Sequence, residues 1–110
     1  MPGYVGFLID IKDNEKFSEY ARATGPTMAK HGGRIALRGP IDAIVEGHLD
    51  ATEDTRLVML EFDSLENARR WYDSEEYKPL IEMREGISTS TVFFIDGFDL
   101  GTTPSDGSDR

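Results

Sequence analysis

Tyr4-Val5-Gly6-Phe7-Leu8-Ile9-Asp10-Ile11 decides how this chain is read. Successive side chains of a strand alternate between its two faces. Val5, Phe7, Ile9 and Ile11 therefore share one side, while the other still carries Tyr4 and Leu8. Arg56-Leu57-Val58-Met59-Leu60-Glu61-Phe62 repeats the pattern, with Val58, Leu60 and Phe62 opposed to Leu57 and Met59. Thr91-Val92-Phe93-Phe94-Ile95 does the same. Strands that are apolar on both faces need cover on both faces.

Outward from these strands the chain alternates between two periodicities. Asp13 is placed to cap a helix that begins at Asn14 and carries Phe17, Tyr20, Ala21 and Thr24 at spacings of three and four. Gly25-Pro26 is expected to interrupt it, with a renewed turn through Thr27, Met28 and His31 before Gly32-Gly33 ends it. Arg34-Ile35-Ala36-Leu37-Arg38 alternates charged and apolar residues as a half-exposed edge strand should. A long connection follows, with Ile41, Ala43, Ile44 and Val45 apolar enough to extend that strand beyond a bulge. The third strand covers about 56–62. Ser64 caps a helix whose inner side is Leu65, Ala68, Trp71 and Tyr72, and Ser74 starts another with Tyr77, Leu80, Ile81 and Arg84. Gly86 is expected to close that helix, and the last strand runs over about 88–96.

Strand, helix, strand, strand, helix, strand is the ferredoxin-like order, an α+β fold with a four-stranded antiparallel sheet and both helices on one face. One domain over about 1–98 is expected, followed by a disordered acidic tail at 99–110. Only one helical layer is available, so the second sheet face should be covered by another copy of the chain, giving a homodimer that buries on the order of 1,200–2,000 Å².

Composition bounds the function. The net charge of −9 disfavours phosphate backbones and anionic membrane surfaces, so neither a nucleic acid nor a membrane is an expected partner. Residues 56–62 lack the aromatic and basic signature that RNA-recognition domains of this fold carry on a central strand. There is no cysteine, which excludes disulfides and thiolate chemistry and fits a cytoplasmic location. No export signal is visible at the N-terminus. His31 and His48 stand alone, without the spacing of a metal motif, and no glycine-rich phosphate loop is present.

Several local patterns together resemble one family. They are Asp10 at the end of the first strand, Tyr20, His31-Gly32-Gly33-Arg34, Leu37-Arg38-Gly39 and Val45-Glu46-Gly47. Further along come Leu60 to Glu66, Trp71-Tyr72-Asp73-Ser74-Glu75-Glu76-Tyr77, and Arg84 before the last strand. Over about residues 3–98 the chain is similar to the family called domain of unknown function 1330, of the dimeric α/β-barrel superfamily. The resemblance implies the ferredoxin-like fold and a dimer, and no activity. Gly39-Pro40 stands where that family more often has Gly-Gly, and Glu75 where it has proline, both at the rim of any pocket.

The chemistry-bearing candidates cluster at strand ends and on the second helical region. Arg38, Ser74 and Arg84 are candidates for holding an anionic substrate, since guanidinium offers paired donors to a carboxylate or enolate. Tyr72 and Tyr77 could donate to a developing oxyanion, and His31 or Glu61 could move a proton. No cofactor is needed for such chemistry. Each candidate has a structural alternative: Glu61 paired with an arginine across the sheet, Ser74 capping a helix, His31 drawn to a helix C-terminus by its dipole. Two functions thus stand open: a small-molecule binder, with cofactor-free enzyme chemistry on a small anionic, phenolic or carbonyl compound, or a non-catalytic dimeric structural or interaction module. A cavity of about 300 Å³ or more lined by Arg38 or Arg84 with Tyr72 or Tyr77 would favour the first.

Overall fold

The computed structural model describes residues 1–97, so the expected tail at 99–110 lies outside the described residues. The chain runs β1 (Gly3–Ile11), α1 (Asn14–Ala29), β2 (Gly33–Pro40), β3 (Thr55–Phe62), α2 (Leu65–Tyr72), α3 (Lys78–Ile87) and β4 (Ser88–Asp96). The sheet has the order β2-β3-β1-β4, and every pairing is antiparallel. This is the ferredoxin-like βαββαβ fold, with its second helix divided into α2 and α3.

The two-sided pattern of β1 has the consequence that alternation demands. Val5 pairs with Leu60 and Phe94, and Phe7 with Val58 and Val92, so these side chains share the face under the helices. There they meet Tyr20, Met28, Ala68, Trp71, Tyr77 and Ile87 in one buried cluster. The opposite face holds Tyr4, Leu8, Leu57 and Met59, each half-buried, with Phe93 37% and Ile95 39% exposed. No element of the described residues covers it.

Local chemistry explains the helix ends. The Asp13 carboxylate accepts from the Lys16 N–H at 3.0 Å, and the Ser64 hydroxyl accepts from Asn67 N–H at 3.1 Å. Gly32 takes a φ of 75° just past α1, a conformation that a Cβ would strain. At the start of β1, a Cβ on Gly3 would lie 2.3 Å from Leu65 Cα. Only glycine lets α2 begin in direct contact with the strand.

Four local expectations are corrected. Pro26 lies inside α1 instead of interrupting it. It sits in the last turn, where its missing N–H leaves the Arg22 carbonyl without its usual donor and only one turn of helix follows, and the hydroxyls of Thr24 and Thr27 bond the carbonyls of Tyr20 and Thr24 around it. Residues 41–54 form no extension of β2, which stops at Pro40; the bulge lies earlier, between Ile35 and Leu37. Gly86 does not close α3, which runs on to Ile87 with no left-handed residue at its end. Ser74 starts a turn and not the helix: its hydroxyl donates to Trp71 C=O at 2.8 Å and accepts from Tyr77 N–H at 3.2 Å, and α3 begins at Lys78.

Candidate functional site

The last turn of α3 delivers Arg84 into the interior, where it is only 2% exposed. One guanidinium nitrogen donates to the Ser90 hydroxyl on β4, and the group lies 5.3 Å from the centroid of the Phe7 ring. Its Nε is buried without a hydrogen-bond partner, and no carboxylate among the described residues pairs with it. Burial opposes the charge of Arg84, but the neighbouring phenolic oxygens of Tyr77 and Tyr20 outweigh it and hold its pKa above the ordinary value. A buried cation that lacks an anion is costly, and structures keep few of them without a use.

Beside it, the hydroxyls of Tyr20 and Tyr77 meet at 2.5 Å. Tyr77 is held by Trp71, the two tilted rings having centroids 4.1 Å apart, while the Trp71 N–H donates to Thr27 Oγ1 at 2.9 Å and ties α2 to α1. Burial pushes both phenols above their usual pKa, and for Tyr77 the nearby Tyr20 oxygen raises it further. One phenolic proton lies in the bond between them. The other is free to be donated to a third group.

Arg84 and Tyr20 face a cavity of about 50 Å³ between α1 and the sheet, walled by Phe7, Ile9, Phe17, Met28, Val58 and Leu60, with Arg38 as a further polar member beside Thr24. Beside the cavity lies a groove of about 650 Å³ that shares Phe17, Ala21, Ile35, Arg38 and Val58 with it and adds Arg22 and Arg56. No aspartate or glutamate of the described residues lines either space, in a chain as acidic as this one. Among the described residues Arg22, Arg38, Arg56 and Arg84 form no ion pair, whereas Lys30, Arg34, Arg70 and Lys78 all do.

The residues singled out from the sequence separate into two groups. Arg38 and Arg84 line the cavity, and Tyr77 stands behind it, bonded to Tyr20. Glu61 is corrected: it lies on the opposite sheet face, paired with Arg34 at 3.3 Å across the β2–β3 register. His31 is not brought to the cavity; its Nδ1 donates to Thr27 C=O at 3.0 Å, satisfying the end of α1. Ser74 serves the turn before α3. Tyr72 packs edge-on against Phe94 with ring centroids 5.9 Å apart, outside the cavity lining. Tyr20, Arg22 and Arg56 were missed as site residues. Tyr20 read as part of an apolar stripe and of the family resemblance, without a role, and nothing in the spacing distinguishes Arg22 or Arg56 from other surface arginines.

The phenol pair implies a pH dependence. A tyrosine whose pKa is raised by folding retains its proton where the unfolded chain has lost it, so folding stability is level at neutral pH and falls as pH rises above about 10. In an alkaline titration, Tyr20 and Tyr77 should add tyrosinate absorbance only as circular dichroism reports unfolding. Ionisation of all four tyrosines in a protein that is still folded at about pH 11 would contradict this.

Known structures share the fold. A protein of unknown function from Rhodopseudomonas palustris, RPA0582, superposes with a TM-score of 0.72 at 16% identity, over 89% of this chain and 83% of that one. SnoaB, a cofactor-independent oxygenase from Streptomyces nogalater, gives 0.59 at 12% identity, over 94% and 96%. A candidate antibiotic biosynthesis monooxygenase from Nitrosomonas europaea gives 0.60 at 9% identity, over 90% and 100%. At such identities the likeness concerns the fold alone. None of the curated proteins matches the sequence. The model of the domain of unknown function DUF1330 matches residues 2–98, nearly the whole of the described structure, and the chain belongs to that family.

Proposed function

We propose that this protein binds a small organic anion, with the anionic head against Arg84 and the free phenolic proton of the Tyr20–Tyr77 pair, and the apolar body against Phe7, Phe17, Met28 and Val58. The observation that carries the reading is Arg84, buried beside an apolar cavity with an unpartnered Nε and no carboxylate of its own. An anion in the cavity would supply the missing countercharge where few waters compete, and there a charge-assisted hydrogen bond is strongest.

The inner space of about 50 Å³ falls short of the roughly 300 Å³ expected of a small-molecule site, and Tyr20 lines it in place of Tyr72 or Tyr77, so only a ligand's head group enters it. The same donors would stabilise an enolate or phenolate, the electrostatic step on which cofactor-free chemistry of a carbonyl or phenolic compound depends. Neither histidine nor carboxylate lines the cavity to take a proton, so the favoured ligand is one already anionic at neutral pH. Binding, and any reaction, takes place in a homodimer that covers the open sheet face of Tyr4, Leu8, Leu57, Met59, Phe93 and Ile95. The dimeric superfamily to which its structural neighbours belong supports this assembly.

Thermal-shift and calorimetric titrations with benzoate and hexanoate, beside the neutral benzyl alcohol and hexanol, test the reading. The carboxylates should raise the melting temperature and the alcohols should not. Arg84→Met should abolish the response while the variant stays folded, because removing an uncompensated buried charge costs little stability. An equal response from Arg84→Met, or none from wild type, overturns the proposal in favour of a purely structural module.

A further inference from the structure

We infer that the groove outside the cavity is a second anion subsite, so that the ligand carries an anionic group at each end of an apolar body. This rests on the binding reading above and specifies its ligand class. The inner cavity admits a group of about carboxylate size, so the rest of any ligand must run outward through the space shared by Phe17, Ala21, Ile35 and Val58. That path ends among Arg22 from α1, Arg38 from β2 and Arg56 from β3.

Arg38 pairs with Val58 and Pro40 with Arg56, which makes the two arginines diagonal neighbours on the helix-facing side of the sheet. Arg56 is oriented from behind, with one guanidinium nitrogen donating to the carbonyls of Glu53 at 2.8 Å and Thr55 at 3.1 Å. Its remaining donors have no partner among the described residues. Three guanidinium forks from three elements, none neutralised by a carboxylate among the described residues, stand around one groove of a protein whose net charge is −9. Such forks match a carboxylate or a phosphate. Between the two ends the walls are apolar and carry no acidic side chain.

The test uses straight-chain α,ω-dicarboxylates from glutarate to azelate, each beside the monocarboxylate of equal carbon number, titrated calorimetrically into the full chain at low and high salt. At the length that spans the two subsites, the dicarboxylate should bind roughly fivefold tighter or better, the scale of one partly exposed guanidinium–carboxylate contact. High salt should shrink that advantage. Arg22→Gln with Arg56→Gln should remove it, the monocarboxylate serving as internal reference. If the double variant fails to fold, Arg22→Gln on its own, a solvent-facing helix position, should halve the advantage or more.

Monocarboxylates that bind as tightly as dicarboxylates at every length would overturn the second subsite and leave the inner site standing. Failure of both series would overturn the inner site and the inference together. A double variant that keeps the dicarboxylate advantage but sediments as a monomer would assign these arginines to the contact between copies, and the inference would fall.

Discussion

Replacing Trp71 with alanine is expected to lower the unfolding free energy by about 3–5 kcal/mol, the range for removing a large aromatic side chain from a core. Trp71 is fully buried. Its ring lies 5.4 Å from Phe62 on the sheet and 4.1 Å from Tyr77, which leads into α3, and its N–H donates to Thr27 on α1. One side chain thus joins the sheet, both helical segments and the turn between α2 and α3. A loss of that size consumes much of the stability of about 5–15 kcal/mol that a domain of this kind possesses. Trp71→Phe should lose less, because a ring still fills most of the space and only the hydrogen bond to Thr27 goes. Urea unfolding at one fixed protein concentration would measure both. A change below about 1 kcal/mol for Trp71→Ala would show that the core closes around the gap. The same variant should weaken benzoate binding, since Tyr77 loses the ring that holds its hydroxyl against Tyr20.

Met59→Lys is expected to convert the proposed homodimer into a monomer without unfolding it. Met59 pairs with Gly6 on β1 and Leu37 on β2, which places it amid the open sheet face. A two-fold axis through that face would bring the substitution in twice, once from each copy, and bury two unpaired ammonium groups. The dimer should weaken by roughly a hundredfold or more, as expected for leaving a charge desolvated without a partner. Side chains on this face do not contribute to the helix-side core, so circular dichroism should not change. Sedimentation velocity at micromolar concentration decides the matter. A wild-type monomer, or a lysine variant that sediments as wild type does, would show that something other than a second copy covers this face.

How far the site was legible depends on which physical rule governed each residue. Alternation along β1 and β3 is strictly local, so the two-sided strands and the uncovered face followed from residue order. Capping is also local, and Asp13 and Ser64 were found at their helix starts. Ser74 deceived because it uses the same hydrogen-bonding repertoire to make a turn, four residues before the first residue of the helix it was expected to start. Glu61 was grouped with Arg84 on residue type, yet the pleat sends it to the other side, where Arg34 neutralises it. Alternation would have excluded it, since Leu60 and Phe62 on either side are core residues.

What the sequence by itself determined is the fold, the face left without cover, the family and the presence of arginine and tyrosine near the ends of the strands. These depend on periods of two and of three to four residues, which survive in any tertiary context. Two things were decided only in three dimensions. The bulge between Ile35 and Leu37 makes Ala36 an extra residue, which turns Arg38 onto the helix side, with Ile35, while Arg34 stays on the far face with Glu61. Simple alternation would have placed both arginines together. The second is the meeting of Tyr20 and Tyr77, 57 residues apart, beside an arginine without a countercharge. Helix packing brings those groups within reach of one another, and sequence spacing has no means of expressing it.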